Sequence, residues 1–242
     1  MRVYSYANEF TIKRIGLYIK YLWLIFQGVK PREIAKVVLL LFSYFTGLQL
    51  PPTTITFRKG NLIFKVSGLL DLVVLKEVLI EECYEKYVQI DRKDKTVVDV
   101  GAGLGDFAIA TAKAFPHLTV FAIEPDRMYF ALLKDNLALN NIINVRAIPM
   151  LVTGRFDPFS LGDKKLSSID FLKIDCEGCE FQLINKLESA NFKKIKKISL
   201  EYHESSKNKI ELIVERLERA GFRVVISPKD IPGLGLLWAK RD

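Results

Sequence analysis

The sequence is poor in cysteine and histidine, with three and two of these residues respectively among 242. Three cysteines do not form the disulfide framework of a small secreted protein, so we expect a reducing, cytoplasmic setting. Long uncharged apolar runs are also missing. Lys20 and Lys36 interrupt the two most apolar stretches, whereas a membrane span needs roughly 20 apolar residues. No secretory signal is expected, since no apolar segment with a small-residue cleavage site opens the chain.

Acidic residues are scarce in the first third of the chain. Residues 1–70 hold ten Lys or Arg and two acids, Glu9 and Glu33, so the whole net charge of +8 lies there. A surplus this local predicts a local partner, either an anionic membrane surface or an acidic substrate. A nucleic-acid-binding surface would more often spread its positive charge over the fold.

The same region is the most apolar part of the chain. Pro31 is placed to start a second helix and Pro51–Pro52 to stop it, which predicts two helices joined by a tight turn. We therefore separate a basic, apolar helical extension, residues 1–52, from a main domain, residues 53–242. The extension is either a lid or homodimer surface, or it contacts an anionic membrane, at the inner membrane face, through residues 11–50.

The main domain begins with a lead-in, residues 53–95. Alternating apolar residues around Lys59-Gly60-Asn61 predict a β-hairpin, and the spacing over residues 72–87 predicts a helix that carries Cys83 as a small buried residue.

From residue 96 onwards apolar strands alternate with amphipathic helices, which predicts an α/β fold with a mostly parallel sheet covered on both faces. The predicted strands are 96–100, 118–124, 143–149, 169–175, 197–202, 222–226 and 234–240. The predicted helices are 105–115, 127–140, 180–189 and 207–220. The last two strands are joined too tightly for a helical crossover, so we expect one antiparallel edge strand.

The stretch "TVVDVGAGLGDF", residues 96–107, runs from a buried strand through Gly101, Gly103 and Gly105 into a helix. Such a loop lets a ligand come close to the backbone at the carboxyl end of the strand. By itself such a loop is typical of nucleotide sites in general. The neighbouring acidic residues therefore provide the evidence for which cofactor binds.

Three acids lie around this loop. Asp99 and Asp106 would repel a dinucleotide pyrophosphate, but they favour the ammonium and sulfonium groups of S-adenosylmethionine. Glu124, at the end of the next strand, is placed to accept hydrogen bonds from both ribose hydroxyls. NAD sites share that last feature, so Glu124 does not discriminate between the two cofactors.

The segments "VVDVGAGLGDF", "FAIEPD", "LLKDNLALNNIINV" and "DFLKIDCEGCEFQLI", in this order and spacing, resemble the FkbM family of S-adenosylmethionine-dependent methyltransferases. The likeness covers about residues 55–240 and includes Tyr84. It implies a Rossmann-like core, residues 96–242, with the seven-stranded methyltransferase sheet, bound S-adenosylmethionine and, most often, methylation of an oxygen. The predicted cofactor-binding residues are Tyr84, Asp99, Gly101, Ala102, Gly103, Gly105, Asp106, Glu124, Pro125, Met150 and Asp175.

The stretch "KIDCEGCE" places Cys176 and Cys179 among three acids. The family commonly has small or aliphatic residues at these two positions, so we expect the cysteines to fill space, with a redox disulfide and a zinc site as the alternatives. Strand alternation brings Asp175 out at the carboxyl edge of the sheet, and Glu177 lies in the turn beside it. We predict both to be catalytic. Glu180 begins a helix, where the helix dipole favours an acid.

The next strand ends in "SLEYHES", with Glu201 and His203 on one face. A hydroxyl acceptor must lose a proton, and histidine titrates near neutrality, so we predict His203 to be a catalytic base. A histidine that only caps the strand is the alternative. Glu201 and His203, with Asp175 and Glu177, also form a candidate set for a divalent cation, although we predict no metal. The lysines of "FKKIKK", residues 192–197, are expected in a solvated turn at the opposite edge.

Together these features predict an S-adenosylmethionine-dependent methyltransferase that acts on a hydroxyl of a sugar, glycolipid or related small molecule. N-methylation of RNA is a second hypothesis, and a membrane-attached module that binds the cofactor without turnover is a third. Base amino methyltransferases usually carry an Asn/Asp-Pro-Pro-aromatic turn where this chain has "DCEG", whose acids would repel a phosphate backbone. We therefore expect no nucleic-acid partner.

Overall fold

The computed structural model describes residues 20–153, 156–229 and 231–241. The chain divides into two compact units, with the boundary between Glu81 and Glu82. The predicted hairpin falls in the first unit, and the predicted domain boundary after residue 52 stays a prediction. Part of the predicted membrane-contacting segment, residues 11–19, lies outside the described residues.

From residue 20 onwards, the first unit has two helices on either side of Pro31, where the sequence indicates a break. Residues 20–28 are helical (α1), and a short turn with Pro31 leads into α2, Ile34–Thr46. Gly47 ends α2 in the left-handed conformation, with φ 72°, which glycine adopts without a steric penalty. Among the helices described from residue 20 onwards, none is long and apolar enough to cross a membrane.

The predicted hairpin follows. Strand β1 (Thr53–Thr56) pairs antiparallel with β2 (Ile63–Val66). Gly60 and Asn61, between the two strands, have φ values of 60° and 53°. Glycine and asparagine are the residue types that tolerate this left-handed backbone best, so the turn follows directly from the sequence.

The helix after the hairpin is shorter than predicted. It runs over Leu69–Leu79 (α3), so the prediction that Cys83 lies on this helix is wrong. Glu82 has a φ of 49°, which a continuous right-handed helix does not allow. Cys83 lies beyond this break, at the start of the second unit, where it is buried and takes no part in a disulfide.

Seven strands form the central sheet of the second unit: β3 (Thr96–Val100), β4 (Thr119–Ile123), β5 (Val145–Ile148), β8 (Ile169–Ile174), β9 (Ile195–His203), β10 (Arg223–Pro228) and β11 (Leu234–Lys240). The two strands numbered between them form a short hairpin: β6 (Ser160–Leu161) and β7 (Lys164–Lys165). The helices of this unit are α4 (Asp106–Ala114), α5 (Arg127–Leu139), α6 (Glu180–Lys186), α7 (Ser189–Phe192) and α8 (Ile210–Arg219). The strand order is β10-β11-β9-β8-β3-β4-β5, and the predicted mostly parallel seven-stranded sheet is confirmed.

One strand of this sheet runs against the others, as predicted, but it does not lie at the edge. β11 pairs antiparallel with β9 on one side and with β10 on the other, so β10 is the edge strand. Burial explains the order: β11 is buried at five consecutive positions, whereas β10 is half exposed or exposed throughout. The more apolar strand therefore occupies the protected position between two neighbours.

The sheet is covered by helices that bury one face each. In α8 the buried residues Ile210, Ile213 and Leu217 follow helical spacing. The predicted helix over 180–189 is interrupted, because Leu187 is extended (φ −60°, ψ 125°) and separates α6 from α7. Leu187 is itself buried, so the break places one more apolar side chain in the core.

The lysine run of residues 192–197 is not the solvated turn that we predicted. β9 already begins at Ile195. Lys197 Nζ lies 2.6 Å from Asp94 Oδ2 and 2.9 Å from Asp91 Oδ2, and Lys196 Nζ lies 2.5 Å from Asp170 Oδ1. Ion pairs with the neighbouring acids therefore hold these two lysines in the first residues of the strand.

Candidate active site

The predicted site residues meet at one edge of the sheet, because the parallel strands β3, β4, β8 and β9 all end there. Gly101 follows β3, Glu124 follows β4, Asp175 follows β8, and His203 is the last residue of β9. In open α/β sheets this carboxyl edge is where ligands bind. The structure therefore brings the glycine loop, residues 101–105, to the same edge as the predicted catalytic residues.

The glycine loop is tied to the neighbouring strand ends. The amides of Gly101 and Ala102 both donate to the carbonyl oxygen of Ile123, at 2.9 Å each. A Cβ at Gly101 would overlap the carbonyl oxygen of Asp175 and lie 2.6 Å from its carbonyl carbon, and φ is 78°. Only glycine fits at this crossing. The loop opens beyond it, since a Cβ at Gly103 would meet no atom nearer than Asp106 Oδ1 at 3.9 Å.

Glu124 is held in place by backbone amides. Its Oε2 accepts a hydrogen bond from Gly103 N and its Oε1 from Asp126 N, each at 2.8 Å. The carboxylate is 6 % exposed, and the two amides fix its direction toward the carboxyl edge. Pro125 is exposed beside it, and Met150 is half buried just after the end of β5.

Tyr84 and Asp175 form a second, partly buried contact of the site. Tyr84 Oη donates a hydrogen bond of 2.6 Å to Asp175 Oδ2, and its ring packs edge-to-face against Phe107 at a centroid distance of 5.7 Å. Burial, followed by the nearby Asp175 carboxylate, raises the pKa of Tyr84 well above its ordinary value. Tyr84 therefore stays a hydrogen-bond donor and orients the carboxylate of Asp175.

Asp99 and Asp106 lie beneath the glycine loop rather than at its open surface. Asp99 is completely buried and Asp106 is 4 % exposed. Burial raises the pKa of Asp99 to about 6, against the opposing effect of the Lys173 ammonium. Burial likewise raises the pKa of Asp106 to about 7, and Asp99 adds to that shift. Their predicted direct contact with the cofactor stays a prediction.

Lys173 is a site residue that the sequence analysis missed. Its Nζ lies 3.0 Å from Asp99 Oδ1 and donates a hydrogen bond of 2.7 Å to the carbonyl oxygen of Gly101. The side chain is 1 % exposed. A lysine in a strand predicted to be buried on both faces, two residues before Asp175, was the signal that could have identified it.

The acid loop, residues 175–180, contains a disulfide. Cys176 and Cys179 are joined, so our prediction that they merely fill space is wrong, although both are half buried against the core. Glu177 and Gly178, between them, have positive φ values of 53° and 113°. This tight loop brings the Cα atoms of the two cysteines to 5.5 Å, a separation that a disulfide spans, which the C-x-x-C spacing permits but does not require.

Glu180 not only places a favourable charge at the start of α6 but also binds the backbone of the acid loop. Its Oε1 accepts from the amides of Cys176 (3.2 Å) and Gly178 (3.0 Å), and the residue is completely buried. His203 contacts two of the three acids of the loop, with Nε2 at 3.2 Å from Glu177 Oε2 and Nδ1 at 3.4 Å from Glu180 Oε1.

The candidate cation set does not assemble. Glu201 pairs with Lys229 instead, whose Nζ lies 3.0 and 2.9 Å from its two carboxylate oxygens. Among the residues that the structure describes, no group of three or more His, Cys, Asp or Glu side chains is arranged to hold a metal ion.

Comparison with known proteins supports the resemblance over part of the chain. Residues 141–224 match the family model described as the methyltransferase FkbM domain, which confirms the predicted resemblance to this family for these residues. The matched range includes the acid loop and His203, and the glycine loop precedes it.

Two curated relatives cover parts of the chain. Methyltransferase 1 of Beauveria bassiana is 32% identical over 72 residues, which are 30% of this chain and 28% of that protein. The tRNA(Phe) (4-demethylwyosine(37)-C(7)) aminocarboxypropyltransferase of Methanocaldococcus jannaschii is 30% identical over 136 residues, 53% of each chain. The match thus spans about half, or less, of the length of these relatives.

Solved structures share the fold. M. jannaschii TYW2 in complex with AdoMet superposes with a TM-score of 0.50 at 24% identity, over 81% of this chain and 90% of that one. An rRNA methylase from Streptococcus thermophilus gives a TM-score of 0.51 at 13% identity, over 68% of this chain and 95% of that one. At these identities the likeness establishes the fold alone.

Proposed function

We propose, from the membership of residues 141–224 in the methyltransferase FkbM domain family, that this chain is an S-adenosylmethionine-dependent methyltransferase acting on a hydroxyl oxygen. The observation that carries the proposal is the direct packing of Gly101 on Asp175 at the carboxyl edge of the sheet. This packing places a cofactor-type glycine loop beside a loop of acids with a histidine next to it. The acceptor that fits best is a sugar, a glycolipid or a related small molecule.

S-adenosylmethionine suits the chemistry of this edge. Each oxygen of Glu124 accepts one amide, and a carboxylate oxygen can accept a further hydrogen bond, as from a pair of ribose hydroxyls. Asp175 offers negative charge to the cationic end of the molecule, and the open backbone at Gly103 leaves room for close approach. When bound, the cofactor supplies an electrophilic methyl group.

His203 is the proposed proton acceptor. Buried Glu180, itself held by two loop amides, faces Nδ1 and would orient the imidazole, as the third group does in other base-assisted sites. Nε2 then takes the proton of the acceptor hydroxyl. Glu177, with its side chain 84% exposed, lies 3.2 Å from Nε2 and would stabilise the charged imidazolium.

Calorimetry and methyl transfer test this assignment. The wild-type chain should bind S-adenosylmethionine and transfer labelled methyl groups to glycans or lipids of a cell extract. His203→Asn should lower kcat by about 100-fold or more while cofactor affinity is kept, because general-base catalysis contributes at least that much. His117→Asn is the matched control, since His117 contacts the Asp94 carbonyl instead. An unchanged kcat in His203→Asn would contradict the assignment.

RNA is a second candidate acceptor. The observation that favours it is the 30% identity to the tRNA(Phe) aminocarboxypropyltransferase. One observation argues against RNA. The exposed carboxylate of Glu177 in the acid loop would repel the phosphate backbone of a nucleic acid. Labelled methyl groups recovered in RNA rather than in glycans or lipids would replace the hydroxyl proposal with this one.

We also propose that α2 contacts an anionic membrane surface, consistent with a cytoplasmic protein at the inner membrane face. α2 is apolar on two sides. Val37 and Leu40 are buried, whereas the other side exposes large apolar residues. These are Ile34 (39%), Val38 (51%), Phe42 (56%) and Phe45 (79%). Contiguous exposed apolar side chains of this kind mark an interaction surface.

Basic residues flank the start of this surface. Arg32 precedes α2 and its side chain is 69% exposed. Arg58 Nε donates to the carbonyl oxygen of Val29 at 2.9 Å, which brings the exposed hairpin turn with Lys59 to the same end of the helix. An apolar strip beside cationic side chains complements a bilayer with anionic headgroups.

Vesicle co-sedimentation tests the membrane contact. The full chain should bind phosphatidylcholine vesicles with about a third phosphatidylglycerol more strongly than pure phosphatidylcholine. Phe42→Ser/Phe45→Ser should reduce binding about 25-fold or more, since each of the two aromatic rings contributes about 1 kcal/mol or more when it is buried in the bilayer. Met128→Ser/Ile143→Ser, at exposed apolar positions of the second unit, should not. A wild-type homodimer that the Phe42/Phe45 variant dissociates would instead identify a subunit interface and overturn the membrane proposal.

A further inference from the structure

Lys173 lies at the centre of the candidate site, and it is not among the site residues predicted from the sequence. It lies directly opposite Asp99 in the parallel pairing of β3 and β8. Its side chain is buried to 1% exposure, in a position where an uncharged residue would ordinarily be found. A buried lysine of this kind needs partners for its charge and its three N–H groups.

The partners of Lys173 are a residue of the glycine loop, a residue of β3, and the tyrosine that orients Asp175. Nζ donates to the carbonyl oxygen of Gly101 at 2.7 Å and lies 3.0 Å from Asp99 Oδ1. It also lies 5.0 Å from the ring centroid of Tyr84, whose hydroxyl orients Asp175. One ammonium group thus connects the first residue of the glycine loop with the contact that fixes the acid loop.

The charges around Nζ keep it ionised. Burial alone would lower the pKa of Lys173, but the carboxylates of Asp99, Asp175 and Asp106 outweigh burial and raise the pKa above its ordinary value. In return, Lys173 offsets part of the negative charge beneath the glycine loop. The carboxylates of Asp175 and Glu124 then remain as the anionic groups of the open edge.

We propose that Lys173 is a positioning residue of the cofactor site, which rests on the proposed function. It holds the Gly101 carbonyl and the Asp99 carboxylate in one arrangement, and so keeps the glycine loop in register with Asp175. Lys173 does not contact the reacting atoms in this role. Its effect is on cofactor affinity.

The experiment compares cofactor binding by calorimetry at a temperature well below the melting points of all variants. Asp99→Asn is the reference variant, because it removes the charge of Asp99 alone and keeps Lys173 with its bond to Gly101. Lys173→Met/Asp99→Asn replaces the ion pair by neutral residues, should fold, and should bind S-adenosylmethionine about tenfold or more weakly than Asp99→Asn does. The KM for S-adenosylmethionine should rise by the same factor, while kcat at saturation changes little.

Lys76→Met is the matched control, because Lys76 is also completely buried and pairs with Glu81 at 2.8 Å in the first unit. It should lower stability without changing cofactor affinity. Equal affinity in the Lys173→Met/Asp99→Asn and Asp99→Asn variants, or failure of the double variant to fold, would make Lys173 a stabilising residue only and overturn the proposal. Absence of cofactor binding by the wild-type chain would instead overturn the proposed function and this inference with it.

Discussion

Replacing Gly101 by alanine is the sharpest test of the contact between the glycine loop and the acid loop. The new Cβ would overlap the carbonyl oxygen of Asp175 and lie 2.6 Å from its carbonyl carbon. These are backbone atoms, which cannot rotate away as a side chain can. The φ of 78° adds the cost of a left-handed alanine, about 1–2 kcal/mol. Overpacking adds typically about 1–3 kcal/mol, so we expect a loss of about 2–5 kcal/mol in the free energy of unfolding.

Gly221→Ala measures the backbone cost without the overpacking cost. Gly221 has a φ of 86° and a Cβ there would meet no atom within 4 Å, so only the backbone cost of about 1–2 kcal/mol is expected. Urea unfolding followed by circular dichroism measures both variants, and calorimetry measures cofactor binding. Gly101→Ala should also lose S-adenosylmethionine binding, whereas Gly221→Ala should keep it. Equal stability and equal binding in the two variants would refute the close contact of the two loops.

Three further outcomes follow from the site. Tyr84→Phe should lower the free energy of unfolding by about 1.5–3 kcal/mol, measured by urea unfolding, because it removes a hydrogen bond to the charged Asp175. Reduction with dithiothreitol should lower it by about 2 kcal/mol, since the Cys176–Cys179 disulfide closes a short loop, and the Cys176→Ala/Cys179→Ala variant should be insensitive to the reductant. The raised pKa of Asp106, about 7, means that the folded state keeps a proton that the unfolded state has lost above about pH 4. This contribution to stability is therefore present below about pH 4 and lost as pH rises toward 7. Between pH 5 and 8 the melting temperature of Asp106→Asn should rise relative to that of the wild type as pH increases. A constant difference between the two melting temperatures would exclude an ionisation cost at this position.

Much of the fold could be predicted because its signals are local. The apolar strands and amphipathic helices from residue 96 onwards repeat with periods that backbone geometry imposes. Five of the seven predicted strand starts lie within one residue of the observed ones: 96, 118, 169, 222 and 234. Where a boundary was missed, residues inside the predicted helix left the helical conformation: Glu82 before Cys83, and Leu187 with Glu188 between α6 and α7. No periodicity in the sequence announces such a break.

The position of the reversed strand was not predictable in the same way. A tight connection after β10 requires β11 to turn back, and that much follows from the chain. Whether β11 then lies outside β10 or between β10 and β9 depends on which strand gains more by burial. The five consecutive buried positions of β11 decide it, and burial is a property of the packed sheet.

In the candidate site, too, some features follow from the sequence and others only from the tertiary structure. The sequence alone determined the glycine loop and the acids that follow the strands, because residue type, spacing and strand ends are local properties. Only the tertiary structure decided which of these groups meet. Lys173 reaches Gly101 across 72 residues of chain, through the register of β3 with β8. The disulfide and the approach of His203 to Glu180 likewise depend on how side chains pack in three dimensions. Packing energies cannot be inferred from a local sequence pattern, because they depend on all the neighbours of a side chain.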